Sequence, residues 1–394
     1  MVSSEWEETE EFRNRIIQGH ALMVLHDELP SQLVDMAITS PPYFRARDYG
    51  LPPLIWDETV ECDHKFNLTE SEITISEGYQ ERIDRERKLK TKMGTKRSKF
   101  KVKRGFCKCG AFKGSLGLEP LPDLYIKHLC DVFDQLKRVL RNDGSLWVVI
   151  GDTYGTSKRN DGKQPIAYLS RPAIPELEKS LCLIPMRFGL EMINRGWVCR
   201  NVIIWHKPDA MPSSVKSRFT LDYEYVFFFT KEKKYYFKQQ FEPLKPESIK
   251  RWPYDSKRAE SDQITKRKEI KDSDNPTYIT AKTGPLLYAE GRNKRCVWSI
   301  HTAKYVGKHY AVYPEELIEI PIKACSREGS IVLDPFMGTG TTALAAKKLN
   351  RDYLGIELSK DYIKQFKERL FYTSGNQQLM AGKNVKKLFE RKKP

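Results

Sequence analysis

Ile331-Val332-Leu333-Asp334-Pro335-Phe336-Met337-Gly338-Thr339-Gly340-Thr341-Thr342 is the stretch on which the fold can be read. An apolar run ending in an acid predicts a buried strand, the glycine-rich segment predicts a turn, and Ala343 to Leu349 predicts the following helix. A parallel sheet places such a turn at its ligand-binding edge, where the glycines let a ligand approach the backbone. The next apolar run, Tyr353-Leu354-Gly355-Ile356-Glu357, ends in a second carboxylate, placed like the acid that grips ribose hydroxyls in nucleotide-binding βαβ units. Asp334 at a strand end can meet a positive group. A nucleoside-bearing cation would satisfy both acids. Against that stand plainer readings, with Phe336 as core packing and Glu357 as an exposed strand-end acid.

A second stretch, Leu33-Val34-Asp35-Met36-Ala37-Ile38-Thr39-Ser40-Pro41-Pro42-Tyr43, predicts a short buried strand stopped by two prolines. Proline fixes φ, lacks a backbone donor and forbids helix continuation, so the strand ends in a stiff elbow. That elbow carries a hydroxyl, two outward carbonyls and an aromatic ring. These groups can accept hydrogen bonds from a planar NH2 group while the ring stacks on its heterocycle, which makes a pocket for a base. Taken alone, the same residues fit an ordinary proline-stiffened loop.

With both stretches on one chain, the sequence resembles the amino-methylating DNA methyltransferases that use S-adenosylmethionine, in the permuted order with the catalytic motif first. Thr39 to Tyr43 is similar to the catalytic motif in the Ser-Pro-Pro-Tyr form typical of N4-cytosine enzymes, whereas adenine enzymes more often carry an acid or Asn there. Asp334 to Thr342 is similar to the cofactor motif. The likeness continues through Leu116-Gly117-Leu118-Glu119-Pro120, Gly151-Asp152-Thr153-Tyr154, Ile204-Trp205-His206-Lys207-Pro208, Tyr223-Glu224-Tyr225-Val226 and Arg292-Asn293-Lys294-Arg295-Cys296-Val297-Trp298, and covers most of residues 14 to 372. It implies a circularly permuted, Rossmann-like methyltransferase sheet. Ser40, Pro41, Pro42 and Tyr43 would be catalytic; Thr39, His309, Asp334, Pro335, Phe336, Gly338, Gly340, Thr341 and Glu357 would surround S-adenosylmethionine, with Asp334 on the methionine ammonium and Glu357 on the ribose. One position departs. The family usually has Gly-Asp, its acid on the cofactor's adenine, where this chain has Gly19-His20, so His20 is either a substituted contact or a turn histidine.

The chemistry asked of the elbow follows from the target. An exocyclic amino group is a poor nucleophile because its lone pair is delocalised into the ring. Hydrogen bonds to the Ser40 hydroxyl and the Pro41 carbonyl would draw the nitrogen toward tetrahedral geometry, with Tyr43 holding the ring. Carbon-5 methylation instead needs a cysteine nucleophile, usually after proline, and no Pro-Cys pair occurs in the chain. A base within a duplex must also be flipped out, at an unstacking cost of about a few kcal/mol.

Composition agrees with a polyanionic partner. The 394 residues carry a formal charge of +16, which predicts a polyanionic partner such as nucleic acid, double-stranded DNA being what the resemblance implies, but also fits a lysine-rich soluble protein. No apolar run reaches membrane-spanning length and the N-terminus is acidic, so a cytoplasmic protein with reduced thiols is expected, with no membrane association. Strands alternating with helices argue for a mostly parallel α/β sheet covered on both faces. Leu221 to Thr230, continued as a hairpin by Lys233 to Phe237, suggests an antiparallel edge strand.

The chain divides into a mobile N-terminus (1–12), the catalytic-motif half (13–60), a basic insert (61–110), a continuation of the main domain (111–237), a target-recognition region (238–295), the cofactor-binding half (296–374) and a basic tail (375–394). In the first insert, Cys62-Asp63-His64 and Cys107-Lys108-Cys109 flank the basic run Arg82 to Arg104. Four soft ligands there fit a tetrahedral structural zinc, although each pair has one intervening residue; unrelated thiols and a surface histidine are the competing reading. The insert itself is expected to be irregular. Between 238 and 295, cations interleave with Trp252, Tyr254, Tyr278 and Tyr288, which suits contact with phosphates and bases or aromatics packed on the main domain. The expected activity is a site-specific N4-cytosine DNA methyltransferase, with a restriction endonuclease of the same site as its partner in a restriction-modification system. An N6-adenine enzyme is the near alternative, RNA an alternative substrate, and a zinc-stabilised nucleic-acid binder without catalysis the alternative of another class.

Overall fold

The computed structural model describes residues 9–45, 52–58, 61–76, 97–155, 177–244, 291–303 and 313–373. In chain order their elements are β1 (Arg15–Gln18), α1 (Ala21–Asp27), β2 (Val34–Thr39), β3 (Leu54–Trp56), β4 (Phe66–Ser76), β5 (Arg97–Cys107), β6 (Phe112–Gly114), α2 (Pro122–Val139), β7 (Leu140–Ile150), α3 (Ile184–Asn194), β8 (Val198–His206) and β9 (Tyr223–Thr230). There follow β10 (Phe241–Glu242), β11 (Arg292–Asn293), β12 (Val297–Ser299), α4 (Glu315–Cys325), β13 (Ile331–Asp334), α5 (Thr341–Lys348), β14 (Asp352–Glu357) and α6 (Lys360–Thr373). No helix among the described residues is long and apolar enough to cross a membrane.

The main sheet runs β1-β14-β13-β2-β7-β9-β8-β12. Strands β1, β14, β13, β2 and β7 are mutually parallel, as the alternation of strands and helices predicts. Side chains alternate across a strand, so a strand covered on both faces must be apolar at every position. In β7, Leu146, Val148 and Ile150 join the core under α1, α2 and α3, while Trp147 and Val149 join the core under α4, α5 and α6. From β13 the chain crosses by α5 to β14 on one side; from β2 it crosses by α2 to β7 on the other side and the other face. The boundary between β13 and β2 is therefore the switch point of the sheet, where open α/β folds bind ligands.

Several expectations need correction. The antiparallel strand is β9, which lies between β7 and β8 rather than at the edge; β8 and β12 continue the sheet beyond it. Lys233 to Phe237 forms no strand, because Tyr235 and Phe237 pack their rings against Phe228. The sequence Asn142-Asp143-Gly144 predicts a turn that would end the helix starting after Pro122, but the structure has no turn there, and β7 follows α2 directly. Leu140, fully buried, leaves the helix in extended conformation and pairs with Val34, and the register shifts before Met36 meets Ser145.

The insert is also more ordered than its charge suggests. Strands β3-β6-β5-β4 form an antiparallel sheet, with β4 and β5 paired from Phe66 opposite Cys107 out to Ser76 opposite Arg97. This module docks on α2 through Trp56, whose indole stacks on His128 at 4.5 Å and donates to the Gly114 carbonyl at 3.0 Å. His128 in turn bridges Glu119 (3.0 Å) and Asp57 (3.2 Å). Strands β10 and β11 pair antiparallel at the two ends of the segment 245–290, which lies outside the described residues together with its four aromatics. The basic tail and most of the run Arg82 to Arg104 lie outside them too.

Candidate active site

Because β2 and β13 are parallel neighbours, their C-terminal ends bring Thr39 and Asp334 together across 295 residues of sequence. Thr39 Oγ1 donates to Asp334 Oδ1 at 2.6 Å, and the Phe336 backbone N–H donates to the same oxygen at 3.0 Å. Oδ2 accepts from Thr342 Oγ1 at 2.5 Å and Tyr313 Oη at 3.0 Å. Burial pushes the Asp334 carboxyl above its ordinary range, while these four donors pull it back. Each oxygen thus has two protein donors, and the residue is 1% exposed. The geometry supports Asp334 as the organiser of the turn and not, as the sequence suggested, as an open carboxylate for a cationic ligand.

Glu357 plays the matching part from β14. Its Oε2 accepts from the Gly338 N–H and its Oε1 from the Ser359 N–H, both at 2.7 Å. Burial raises its carboxyl too. In the turn, Gly338 and Gly340 both have positive φ. At Gly340 the reason for glycine is not a ligand: a Cβ there would lie 1.9 Å from the Phe366 ring of α6. Thr341 is buried, its hydroxyl held by Arg369 at 3.1 Å, and Pro335 is buried beside it. Phe336 and Gly338 remain half-buried, Phe336 with one side against the core. These two form the accessible crest of the turn.

The elbow after β2 is held from three directions. Tyr125 Oη of α2 donates to the Pro42 carbonyl at 2.9 Å, which engages one of the two carbonyls the sequence offered. Gly117, at φ +88, passes so close that a Cβ would be 2.9 Å from the Tyr43 carbonyl. A Cβ on Gly151, at the end of β7, would lie 2.9 Å from the Tyr43 ring. Tyr43 Oη donates to Glu224 Oε2 of β9 at 2.7 Å, and Lys207 holds Glu224 Oε1. Ser40, at the head of the elbow, is half-buried. Burial, then the Glu224 charge, pushes the phenol well above its ordinary value, so it stays a proton donor. Tyr43 to Glu224 to Lys207 is therefore one chain of hydrogen bonds.

His20 is half-buried and caps α1, its Nδ1 accepting from the Leu22 N–H at 3.3 Å, with its ring edge on Trp56. Burial lowers its pKa to about 4, so it is neutral at pH 7. His309 lies outside the described residues. Cys62, His64, Cys107 and Cys109 converge at the foot of the β4–β5 hairpin, with their ligand atoms all within 4.8 Å of one another. Sequence reasoning gave no role to Tyr125, Lys207, Glu224 or Tyr313. Two of them stand in the stretches Ile204 to Pro208 and Tyr223 to Val226, so the signal was a motif without a chemical assignment.

Comparison with known proteins adds to this geometry. A family model described as DNA methylase matches residues 34–368. The type II methyltransferase M.SmaI of Serratia marcescens is 35% identical over 264 residues, 65% of this chain and 77% of the relative. M.Cfr9I of Citrobacter freundii, also a type II methyltransferase, is 31% identical over 355 residues, 88% of this chain and 84% of the relative. Among solved structures, the PvuII DNA methyltransferase (cytosine-N4-specific) has the same fold, with a TM-score of 0.50 at 15% identity over 91% of this chain and 86% of that one.

Proposed function

The chain belongs to the DNA methylase family, and from that premise we propose that it is a type II modification enzyme methylating the exocyclic N4 of cytosine in double-stranded DNA. Transfer to an amino nitrogen of DNA is the activity of the family, and S-adenosylmethionine is the methyl donor. The residues fit such a ligand: a half-open crest of Phe336 and Gly338 lies at the switch point, with the buried Glu357 carboxylate bonded to the Gly338 N–H. When bound, the donor supplies an electrophilic methyl on a sulfonium. Phe336 and Gly338 would line it, Glu357 would shape the turn on its ribose side, and Asp334 would hold that turn to the elbow.

The observation that carries the cytosine reading is a neutral Ser40 at the head of an elbow whose Tyr43 hydroxyl is bonded to Glu224. The half-buried hydroxyl oxygen of Ser40 offers lone pairs to an incoming amino N–H. The Pro41 carbonyl accepts the second amino hydrogen. Both bonds strengthen as the nitrogen becomes tetrahedral, which is where an enzyme gains rate. The methylated nitrogen must then release a proton. With its side chain turned to Tyr43, Ser40 Oγ would take it while passing its own proton to Tyr43 Oη, and Tyr43 would pass one to Glu224 Oε2 along the bond already present. An acid at position 40 would accept without needing the relay; a neutral serine needs it.

Mass spectrometry of nucleosides from DNA methylated by the purified protein tests this reading, with N4-methylcytosine expected. N6-methyladenine alone would overturn the cytosine assignment and leave the family membership intact. A restriction endonuclease of the same site is the partner that a modification enzyme of this type would protect against.

A further inference from the structure

We infer that Cys62, His64, Cys107 and Cys109 bind one zinc ion, which clamps the foot of the β4–β5 hairpin. Their convergence is built by strand register. Phe66 at the start of β4 pairs with Cys107 at the end of β5, so the residues just before one strand meet those just after the other. Cys62 Sγ lies 3.6 Å from Cys107 Sγ, and Cys109 Sγ lies 3.3 Å from His64 Nδ1. Zinc bound tetrahedrally at about 2.3 Å from sulfur and about 2.0 Å from nitrogen sets ligand atoms roughly 3.5–3.8 Å apart. The sulfur pair is far outside the disulfide length of about 2.05 Å and inside the range of a shared ion.

The local backbone is shaped for metal thiolates. Cys107-Lys108-Cys109-Gly110 closes a tight turn, with the Gly110 N–H on the Cys107 carbonyl at 3.0 Å and Gly110 at φ +97. The Cys107 N–H bonds the Ala111 carbonyl at 2.8 Å and closes the same turn. On the other side, the His64 N–H bonds the Cys62 carbonyl at 2.8 Å and bends the chain back. His64 Nε2 is buried without a hydrogen-bond partner, and the Glu58 carboxylate is 3.6 Å away. A histidine that binds a metal through one nitrogen commonly turns the other toward a carboxylate. Three sulfurs and one imidazole select zinc over the oxygen-seeking cations.

The module has reason to need a clamp. Leu68 and Phe106 next to the site are exposed, and among its described residues the buried apolar side chains are few: Trp56, Cys107, Ala111 and Phe112. Small modules with little core are commonly fixed by a metal. The ion would set the angle at which the long, lysine-bearing β4–β5 pair leaves the main domain.

The test uses the full chain purified without chelators. Elemental analysis should find about one zinc per chain, and cobalt exchanged into the site should give the intense visible bands of tetrahedral thiolate coordination. Cys62→Ser and Cys109→Ser should lose the metal yet still bind S-adenosylmethionine, because the cofactor turn lies on other elements. Cys296→Ser, at an exposed cysteine outside the cluster, should keep it. Absence of both zinc and the cobalt bands in the unsubstituted protein would overturn the inference, as would a Cys62 to Cys107 disulfide found by thiol alkylation. Neither result depends on a variant folding, and neither touches the methyltransferase reading.

Discussion

Tyr43→Phe keeps the aromatic ring of the elbow and deletes only the phenol oxygen, which separates two roles that Tyr43→Ala would remove together. In the structure that oxygen donates to Glu224 at 2.7 Å, so its loss would cut the proposed relay from Ser40 to the carboxylate. A hydrogen bond to a charged group contributes about 1.5–3 kcal/mol. If it acts mainly in the transition state, that range corresponds to a loss of roughly 10- to 150-fold in rate. Single-turnover transfer of a labelled methyl group, with donor and DNA both saturating, reads this step without product release. DNA affinity should stay within about twofold, because the stacking ring is unchanged. Glu224→Gln should lower the rate in the same direction, and the double variant should lose less than the product of the two single losses, since both cut one chain. A Tyr43→Phe enzyme with the unsubstituted rate constant would refute the relay and leave Tyr43 only its ring.

Four other outcomes follow from the same geometry. Glu357→Ala should weaken S-adenosylmethionine binding by about tenfold or more in calorimetry, because a buried acceptor for the Gly338 N–H is lost; an unchanged affinity would remove Glu357 from the site. Gly340→Ala should destabilise the protein by about 2–4 kcal/mol in denaturant titration, and adding Phe366→Ala should recover the clash but not the cost of φ +80. Although burial opposes it, bonds from Arg13 and Asn14, both at 2.6 Å, hold Asp352 below its ordinary carboxyl range. Its contribution is therefore present above about pH 4 and lost as pH falls through the depressed folded value, so Asp352→Asn should cost about 1 kcal/mol at pH 7 and progressively less in acid, by thermal melts. Finally, DNA affinity should fall with rising salt at a slope of roughly −0.9 per neutralised phosphate, and a flat dependence would take the basic stretches 82–104 and 238–295 out of the interface.

What the sequence disclosed, and what it hid, divides by range. The strand, turn and helix from Ile331 to Lys348 were legible because each is a local pattern of apolar period and glycine. The stop at Pro41-Pro42 was legible for the same reason. The occupants of those groups were not. Tyr125 takes the Pro42 carbonyl from 83 residues away, and Glu224 takes the Tyr43 hydroxyl from 181. Nothing in a strand-end acid says whether its oxygens face a ligand or, as at Asp334, four protein donors. The insert failed differently. Its charge suggested irregularity, yet Lys99-Phe100-Lys101-Val102-Lys103 alternates with the period of a strand, and that signal was outweighed by composition.

The adjacency of β2 and β13 explains why a permuted order costs the site nothing. In a sheet whose strands all point the same way at its centre, what matters is which C-terminal ends are neighbours, not which strand comes first. The elbow that would hold the base and the turn that would hold the donor are joined by the bond from Thr39 Oγ1 to Asp334 Oδ1, with both residues buried. That bond ties the last residue of β2 directly to the carboxylate whose other contacts, Thr342, Tyr313 and Phe336, define the turn. A shift of the turn on binding a ligand at Phe336 and Gly338 would therefore be transmitted to Thr39, one residue before Ser40. Methyl transfer needs the nitrogen and the methyl carbon aligned to within a fraction of an ångström. A buried carboxylate shared by both halves is a direct way for one chain to fix that alignment.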